Sequence, residues 1–235
     1  MSVHVTNTAN DGLTGQPVHG GPAKRPAPVV LEGRFGRVEK LDARHGEALT
    51  AAIDGHHDTW IYMPYGPFAN ARELALWIEE RAASPDPYAY AIVELSGRAT
   101  GIATLMEIRP SHRVIEMGSI VYSPLLQRTS LATEAQYLLA RYAFETLGYR
   151  RYEWKCNALN APSRRAALRL GFTFEGIFRQ HMIVKGRSRD TAWYAMLDSE
   201  WPARKRAFER WLAPENFDAR GRQKESLSAL NGQRL

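Results

Sequence analysis

A chain of 235 residues, 44% hydrophobic and 24% charged, has ordinary globular composition and a length for one domain with extensions or two small domains. No apolar run approaches the roughly 20 residues of a bilayer span, the first thirty residues lack the basic-then-apolar order of a secretory signal, and a lone cysteine, Cys156, excludes an internal disulfide or multi-cysteine zinc site. The net charge of +6, from 31 basic against 25 acidic residues, suits an anionic partner. The basic residues are scattered and no nucleic-acid-reading motif is present, so a solvated basic surface is the preferred reading over nucleic-acid binding. A soluble cytoplasmic protein is expected, with neither membrane nor metal partners.

Residues 1–28 are rich in Gly, Pro, Asn and Thr, show no period, and predict a disordered tail. A short strand is expected over Arg34–Leu41 and a helix over Ala43–Ala52. The stretch Asp58–Phe68 mixes four aromatics with three breakers and predicts an ordered loop. Asn70 suits an N-cap, and Leu74, Trp77, Ile78 and Ala82 then fall on one helical face until Ser84-Pro-Asp-Pro87 stops the run. Three strands follow, Tyr88–Leu95, Gly101–Ile108 and Val114–Tyr122, with turn residues between them that predict an antiparallel meander.

A long helix is expected over Ser130–Thr146, with Gly148 as its stop, then a strand over Tyr152–Cys156. Asn160 suits the cap of a short helix with Pro162 in its first turn, ending at Gly171. Two more strands are expected near Phe172–Arg179 and Asp190–Leu197. Trp201, Phe208, Trp211 and Leu212 then recur at helical spacing before a polar tail. The division expected is therefore tail 1–28, domain 29–200, and C-terminal helix and tail 201–235. Strands broken by single helices imply an α+β fold: one mixed, largely antiparallel sheet flanked by helices, made locally parallel by the strand–helix–strand unit over Val114–Cys156.

That unit carries the chemistry. A strand ending at Pro124, a short loop and a helix N-terminus can cradle an anion, because the first N–H groups of a helix have no internal partner and the helix dipole favours negative charge there. Arg128 stands close enough to add a cation. Gln127-Arg-Thr-Ser-Leu-Ala132 resembles the Q/R-x-x-G-x-G/A loop with which GNAT acetyltransferases hold the pyrophosphate of acetyl-CoA. The likeness continues through Asn160-Ala-Pro-Ser163, Gly171-Phe-Thr-Phe-Glu-Gly176 and Arg189-Asp190, an order similar to the RimJ/RimL branch of ribosomal-protein N-terminal acetyltransferases. It spans roughly Leu31 to Leu197.

The resemblance implies a GNAT acyl-CoA N-acyltransferase fold, acetyl-CoA or another acyl-CoA as co-substrate, and an amine acceptor, either a small molecule or a protein N-terminus. Its relatives are often dimers, so a homodimer is expected. It assigns the cofactor to the backbone near Val121 and Tyr122, to Gln127, Arg128, Thr129, Ser130, Leu131, Ala132 and Thr133, and to Asn160. Two positions depart from the pattern. Ser130 replaces the loop glycine and must take an ordinary negative φ, and Ala167 stands where many members carry a general-acid tyrosine.

Glu116 lies inside an apolar strand, where burial raises a carboxyl toward the range of a general base. It precedes Gln127 by eleven positions, the spacing of a catalytic glutamate in one branch of the superfamily. The other reading is a structural carboxylate held by backbone or an arginine. Ser163 either donates to the leaving thiolate, as the resemblance implies, or only caps its helix. Trp60, Tyr62 and Tyr65 either wall an acceptor pocket or pack the first helices on the sheet. Cys156 reads as a small buried hydrophobe, and Glu134 as a carboxylate stabilised by the helix dipole. The alternative to an enzyme is a fold that has kept CoA binding or a protein contact and lost catalysis.

Overall fold

The computed structural model describes residues 15–232. Its strands are β1 (Val30–Glu32), β2 (Gly36–Lys40), β3 (Tyr88–Glu94), β4 (Ala99–Arg109), β5 (Val114–Tyr122), β6 (Arg151–Asn157), β7 (Thr173–Val184) and β8 (Arg187–Leu197). They form one sheet in the order β1-β2-β3-β4-β5-β6-β8-β7. Only β5 and β6 run parallel; every other neighbour is antiparallel. The mixed, mostly antiparallel α+β sheet expected from the sequence is the one observed.

Side chains alternate across a strand, which assigns the two faces. On β3, Tyr90 and Ile92 point into one core while Ala89, Ala91 and Val93 point into another. The first face packs beneath α3 (Ser130–Arg141), α4 (Ala161–Arg169), α5 (Trp201–Leu212) and α6 (Leu227–Leu230). The second is covered by α1 (Gly46–Ile53) and α2 (Ala71–Ala83), whose core takes residues from β3, β4 and the end of β5 and none from β6, β7 or β8. Half of the second face is thus left without a helix among the described residues.

Local signals account for most boundaries. The side chain of Asn70 accepts the N–H of Glu73 and starts α2, whose Leu74, Trp77 and Ile78 are buried as their spacing requires. Gly148 takes φ +79° and ends the segment that follows α3. The predicted helix over Ser130–Thr146 is corrected in one respect: the α-helix stops at Arg141 and a π-type turn follows over Tyr142–Thr146. Leu147 N–H reaches back five residues to the Tyr142 carbonyl at 3.0 Å, a register that side-chain periodicity does not encode.

The last two strands are longer than their apolar runs suggested and meet at Lys185-Gly186, both in left-handed conformation. The outer half of β7 is solvent-exposed, so its ladder forms without the burial that produces a readable pattern. The first fourteen residues of the expected disordered tail lie outside the described residues. Residues 15–28, assigned to that tail, are instead tied to the body: Ala23 N–H donates to the Pro110 carbonyl, Lys24 N–H to that of Leu147, and Ala27 N–H to the Tyr142 hydroxyl. Such pairing is backbone-driven and leaves no period in the side chains. Beyond α5 the polar segment folds back through a Phe217–Gln223 bridge to α6, where Leu227 is fully buried.

Candidate active site

The parallel pairing of β5 with β6 begins at Val114–Arg151 and stops at Met117–Trp154. Beyond it, Gly118–Tyr122 on one strand and Lys155–Asn157 on the other have no ladder between them. Two parallel strands that part in this way leave a wedge-shaped gap flanked by unpaired backbone N–H and C=O groups. A bulge deepens it. Between the pairs Thr104–Gly118 and Ile102–Val121 the β5 strand carries one extra residue, and Ser119 takes φ +44°. The bulge swaps the faces of β5, so that Ile115 and Met117 join the first core and Val121 the second.

The loop leading from the gap to α3 is held by its own residues. Leu126 and Gln127 donate their N–H groups to the Ser123 carbonyl, and the Gln127 side chain donates to the Tyr122 carbonyl at 2.9 Å. Thr129, not Ser130, is the N-cap: its hydroxyl accepts the Ala132 N–H at 3.1 Å and donates to the Leu126 carbonyl at 2.7 Å. Ser130 is the first helical residue and has the ordinary φ expected of it; the left-handed residue of the loop is Arg128, at φ +62°. Arg128 is exposed and makes no hydrogen bond or ion pair with any described residue. Leu131, Ala132 and Thr133 are buried in the first turn of α3, so they offer backbone rather than side chains to a ligand. Tyr122 is held by Gln136, whose amide donates to its hydroxyl at 2.6 Å, and burial keeps that hydroxyl protonated.

Across the gap, Asn160 caps α4 by accepting the Ser163 N–H at 3.0 Å. The Ser163 hydroxyl accepts from Trp154 Nε1 at 3.1 Å, which leaves its own proton free to donate. Cys156 is buried beside it. Burial pushes the thiol up, opposed by the Ser163 hydroxyl and by the charges of Arg189 and Arg164, so Cys156 stays protonated at neutral pH and is a poor nucleophile. Ala167 is fully buried in the first core.

Glu116 lies on β5 one residue before the ladder ends, 5% exposed, with its Oε2 2.7 Å from Lys155 Nζ. Burial pushes its carboxyl above the usual range, against the pull of the Lys155 ammonium. Lys155 also lies 3.5 Å from Glu153 and 4.2 Å from the Trp193 ring centre. Glu153 is itself bridged by Arg109 and Arg151. Lys155 was missed by sequence reasoning, although Arg151-Tyr-Glu-Trp-Lys155 alternates charge with aromatic and so announced a polar face.

The aromatic loop divides. Trp60, 3% exposed, packs edge-on against Tyr65, Phe68 and Trp77 and anchors the loop from within. The Tyr65 hydroxyl is buried against the bulge; burial raises its pKa, the nearby Ser119 hydroxyl partly offsets this, and no full hydrogen bond forms. Tyr62 is half-buried at the rim, its hydroxyl donating to the Leu159 carbonyl beside α4 at 3.2 Å. On the far side Lys185, at the tip of the β7–β8 hairpin, donates to the Trp60 carbonyl at 2.8 Å. A cleft of about 480 Å³ runs between residues 55–59 of this loop and Pro124 and Gln127. No cluster of metal ligands occurs among the described residues.

The site is thus a splayed parallel pair with a helix N-terminus at its mouth and a buried carboxylate beneath it. The model of the acetyltransferase (GNAT) domain family matches residues 37–173. The chain belongs to the GNAT acetyltransferase family. A GCN5-related N-acetyltransferase structure from Brucella melitensis is 48% identical over 91% of this chain and 98% of its own, with a TM-score of 0.87. A structure from Chromobacterium violaceum, described as a probable acetyltransferase of the GNAT family, is 41% identical over 81% of this chain and 98% of its own, with a TM-score of 0.76. The Bacillus subtilis protein YnaD, described as an uncharacterized N-acetyltransferase, is 33% identical over 82 residues, 34% of this chain, which spans about half of YnaD's length.

Proposed function

We propose that the protein moves an acetyl or other short acyl group from acyl-CoA to a primary amine by direct transfer in a ternary complex. The observation that carries this reading is the parting of β5 and β6 beyond Met117–Trp154 at the mouth of α3. The residues suit the co-substrate. The pyrophosphate would meet the first N–H groups of α3 and the unpaired Arg128, while the pantetheine arm would take the ladder positions that Gly118–Tyr122 and Lys155–Asn157 leave open. Successive peptide groups of a strand point to opposite sides, so beyond the bulge an N–H near Val121 or Tyr122 turns away from β4 and would hold the oxyanion.

Glu116 is the base in this scheme, acting through a water on the incoming ammonium; its raised carboxyl pKa suits that task. Ser163, with its proton free, donates to the leaving thiolate. The order of motifs favours the RimJ/RimL branch and hence an N-terminal or small-molecule amine.

The test is a thermal melt with acetyl-CoA, CoA and ATP, followed by turnover of Glu116→Gln over an amine panel. Stabilisation of roughly 2.7 kcal/mol at a hundredfold excess of either CoA species, with none from ATP, supports the site. Turnover lost in Glu116→Gln with CoA stabilisation unchanged supports the base. Binding without turnover on any amine would favour the fold that has lost catalysis.

A further inference from the structure

Several cations on the uncovered half of the second face are engaged, and Arg187, which is unpaired among the described residues, is exposed to solvent. Lys155 pairs with Glu116, Arg109 with Glu153, Arg151 with Glu153 and Glu175, and Lys185 donates to the Trp60 carbonyl. Arg189 is different. It stands on β8 opposite Met182, and the unbroken alternation of β8 places it on the same face as Thr191 and Trp193. Its neighbour Asp190 is already taken by the Gln180 N–H at 2.7 Å. Arg189 forms no hydrogen bond or ion pair with any described residue, and its Nε is shut off from solvent with no acceptor.

Its position is the gap itself. The β6–β8 ladder ends at Asn157–Thr191, so Arg189 lies just past the open end of β6. Burial pushes the Arg189 guanidinium's own pKa down, and the carboxylate of Glu116 on β5 opposes that. A side chain that starts on β8 beyond the last β6 pair, with its Nε buried and without a partner, stands at the open end of β6, the strand that β5 has left. A half-buried guanidinium without an acceptor is costly, and its planar fork matches a carboxylate in two parallel hydrogen bonds.

We propose that Arg189 binds a substrate carboxylate beside the acyl group being transferred. The proposal rests on the acyltransferase reading above and narrows its substrates. The carboxylate has two sources: the far end of a dicarboxylic acyl chain on CoA, or the carboxylate of an amino-acid acceptor.

Two arms separate them, each with wild type, Arg189→Gln and Arg189→Lys. In the first, dissociation constants of acetyl-CoA, succinyl-CoA and CoA are measured by thermal shift. In the second, kcat/KM is measured for L-amino acids against the amines left when their carboxylate is removed. Wild type should prefer the carboxylated member of one arm by at least about tenfold, Arg189→Gln should reduce that preference to about twofold or less, and Arg189→Lys should restore part of it. Unchanged CoA affinity in Arg189→Gln shows that the fold and the CoA site persist. CoA binding with no carboxylate preference in either arm, or with a preference that survives in Arg189→Gln, overturns the proposal and leaves the acyltransferase reading standing. Absence of any CoA stabilisation overturns both, and so marks the failure as that of the reading beneath.

Discussion

The ammonium of Lys155 sits 2.7 Å from the carboxylate of Glu116 and 4.2 Å from the centre of the Trp193 ring. Two opposed forces therefore set the charge of Glu116: burial favours the neutral acid and Lys155 the anion, with burial the larger. A folded-state pKa above the ordinary carboxylate value means that Glu116 favours folding at low pH and that this contribution fades as pH rises through the folded pKa. Replacing Lys155 by Met removes the opposing force and moves the folded pKa higher. The acid limb of the pH–rate profile should shift to higher pH, because the base must be ionised. Urea denaturation should show a loss of about 3–5 kcal/mol at pH 8 that shrinks toward pH 5. A pH-independent loss would mean that Lys155 acts through packing alone.

Glu134 fastens α3 to the turn between β1 and β2. Its carboxylate accepts the backbone N–H groups of Arg34 at 2.6 Å and Phe35 at 2.8 Å. Hydrogen bonds to a charged acceptor contribute more than neutral ones, and removing this carboxylate orphans both donors. Glu134→Ala should cost about 2–4 kcal/mol in urea denaturation. Gly33→Ala should be damaging for a related reason, since an added Cβ would fall 2.3 Å from the Glu134 carboxylate. A loss below about 0.5 kcal/mol in both variants would show that the turn does not depend on this anchor.

Arg128 holds a left-handed φ of +62° that an L-residue adopts at a cost. Arg128→Gly should stabilise the ligand-free protein by about 0.5–1 kcal/mol once the greater freedom of glycine in the unfolded chain is counted. The same change should weaken CoA about five- to tenfold and flatten the salt dependence of binding, because a phosphate partner has gone. Calorimetric titration at two ionic strengths checks both; unchanged affinity would place the phosphates elsewhere.

Ser163→Ala should lower kcat about tenfold with little change in the KM for acyl-CoA, since a proton delivered only to a departing thiolate acts in the transition state. The Trp154 indole would lose its acceptor at the same time, so stability should fall by about 1 kcal/mol. A higher KM at constant kcat would make Ser163 a binding residue instead.

The sheet and most helices were legible because their signals are local. The cap of Asn70, the alternation of β3 and the stop at Gly148 each need only a few neighbouring residues. The passage from β5 through a short loop to the N-terminus of α3 was legible for the same reason, since the three follow one another directly. What escaped reading depends on register and distant partners. That Arg128 rather than Ser130 takes the left-handed turn follows from how Thr129 caps α3. The burial of Trp60 beneath its loop depends on Trp77, seventeen positions away and on another element. Lys155 gains its meaning from Glu116 across a strand pairing that no period in the sequence records.

The fold-back after α5 bears on how this protein is handled. Asn231 donates its side-chain amide to the Arg169 carbonyl at the end of α4, and its own carbonyl accepts from Arg204 of α5. With Leu227 buried beneath, the last described residues act as a buttress under the helix that presents Asn160 and Ser163. Trimming the chain after Leu212 to obtain better crystals would remove that buttress and let α4 swing, so a shortened protein that melts lower and turns over more slowly would have lost its foundation, with every residue of the gap still in place.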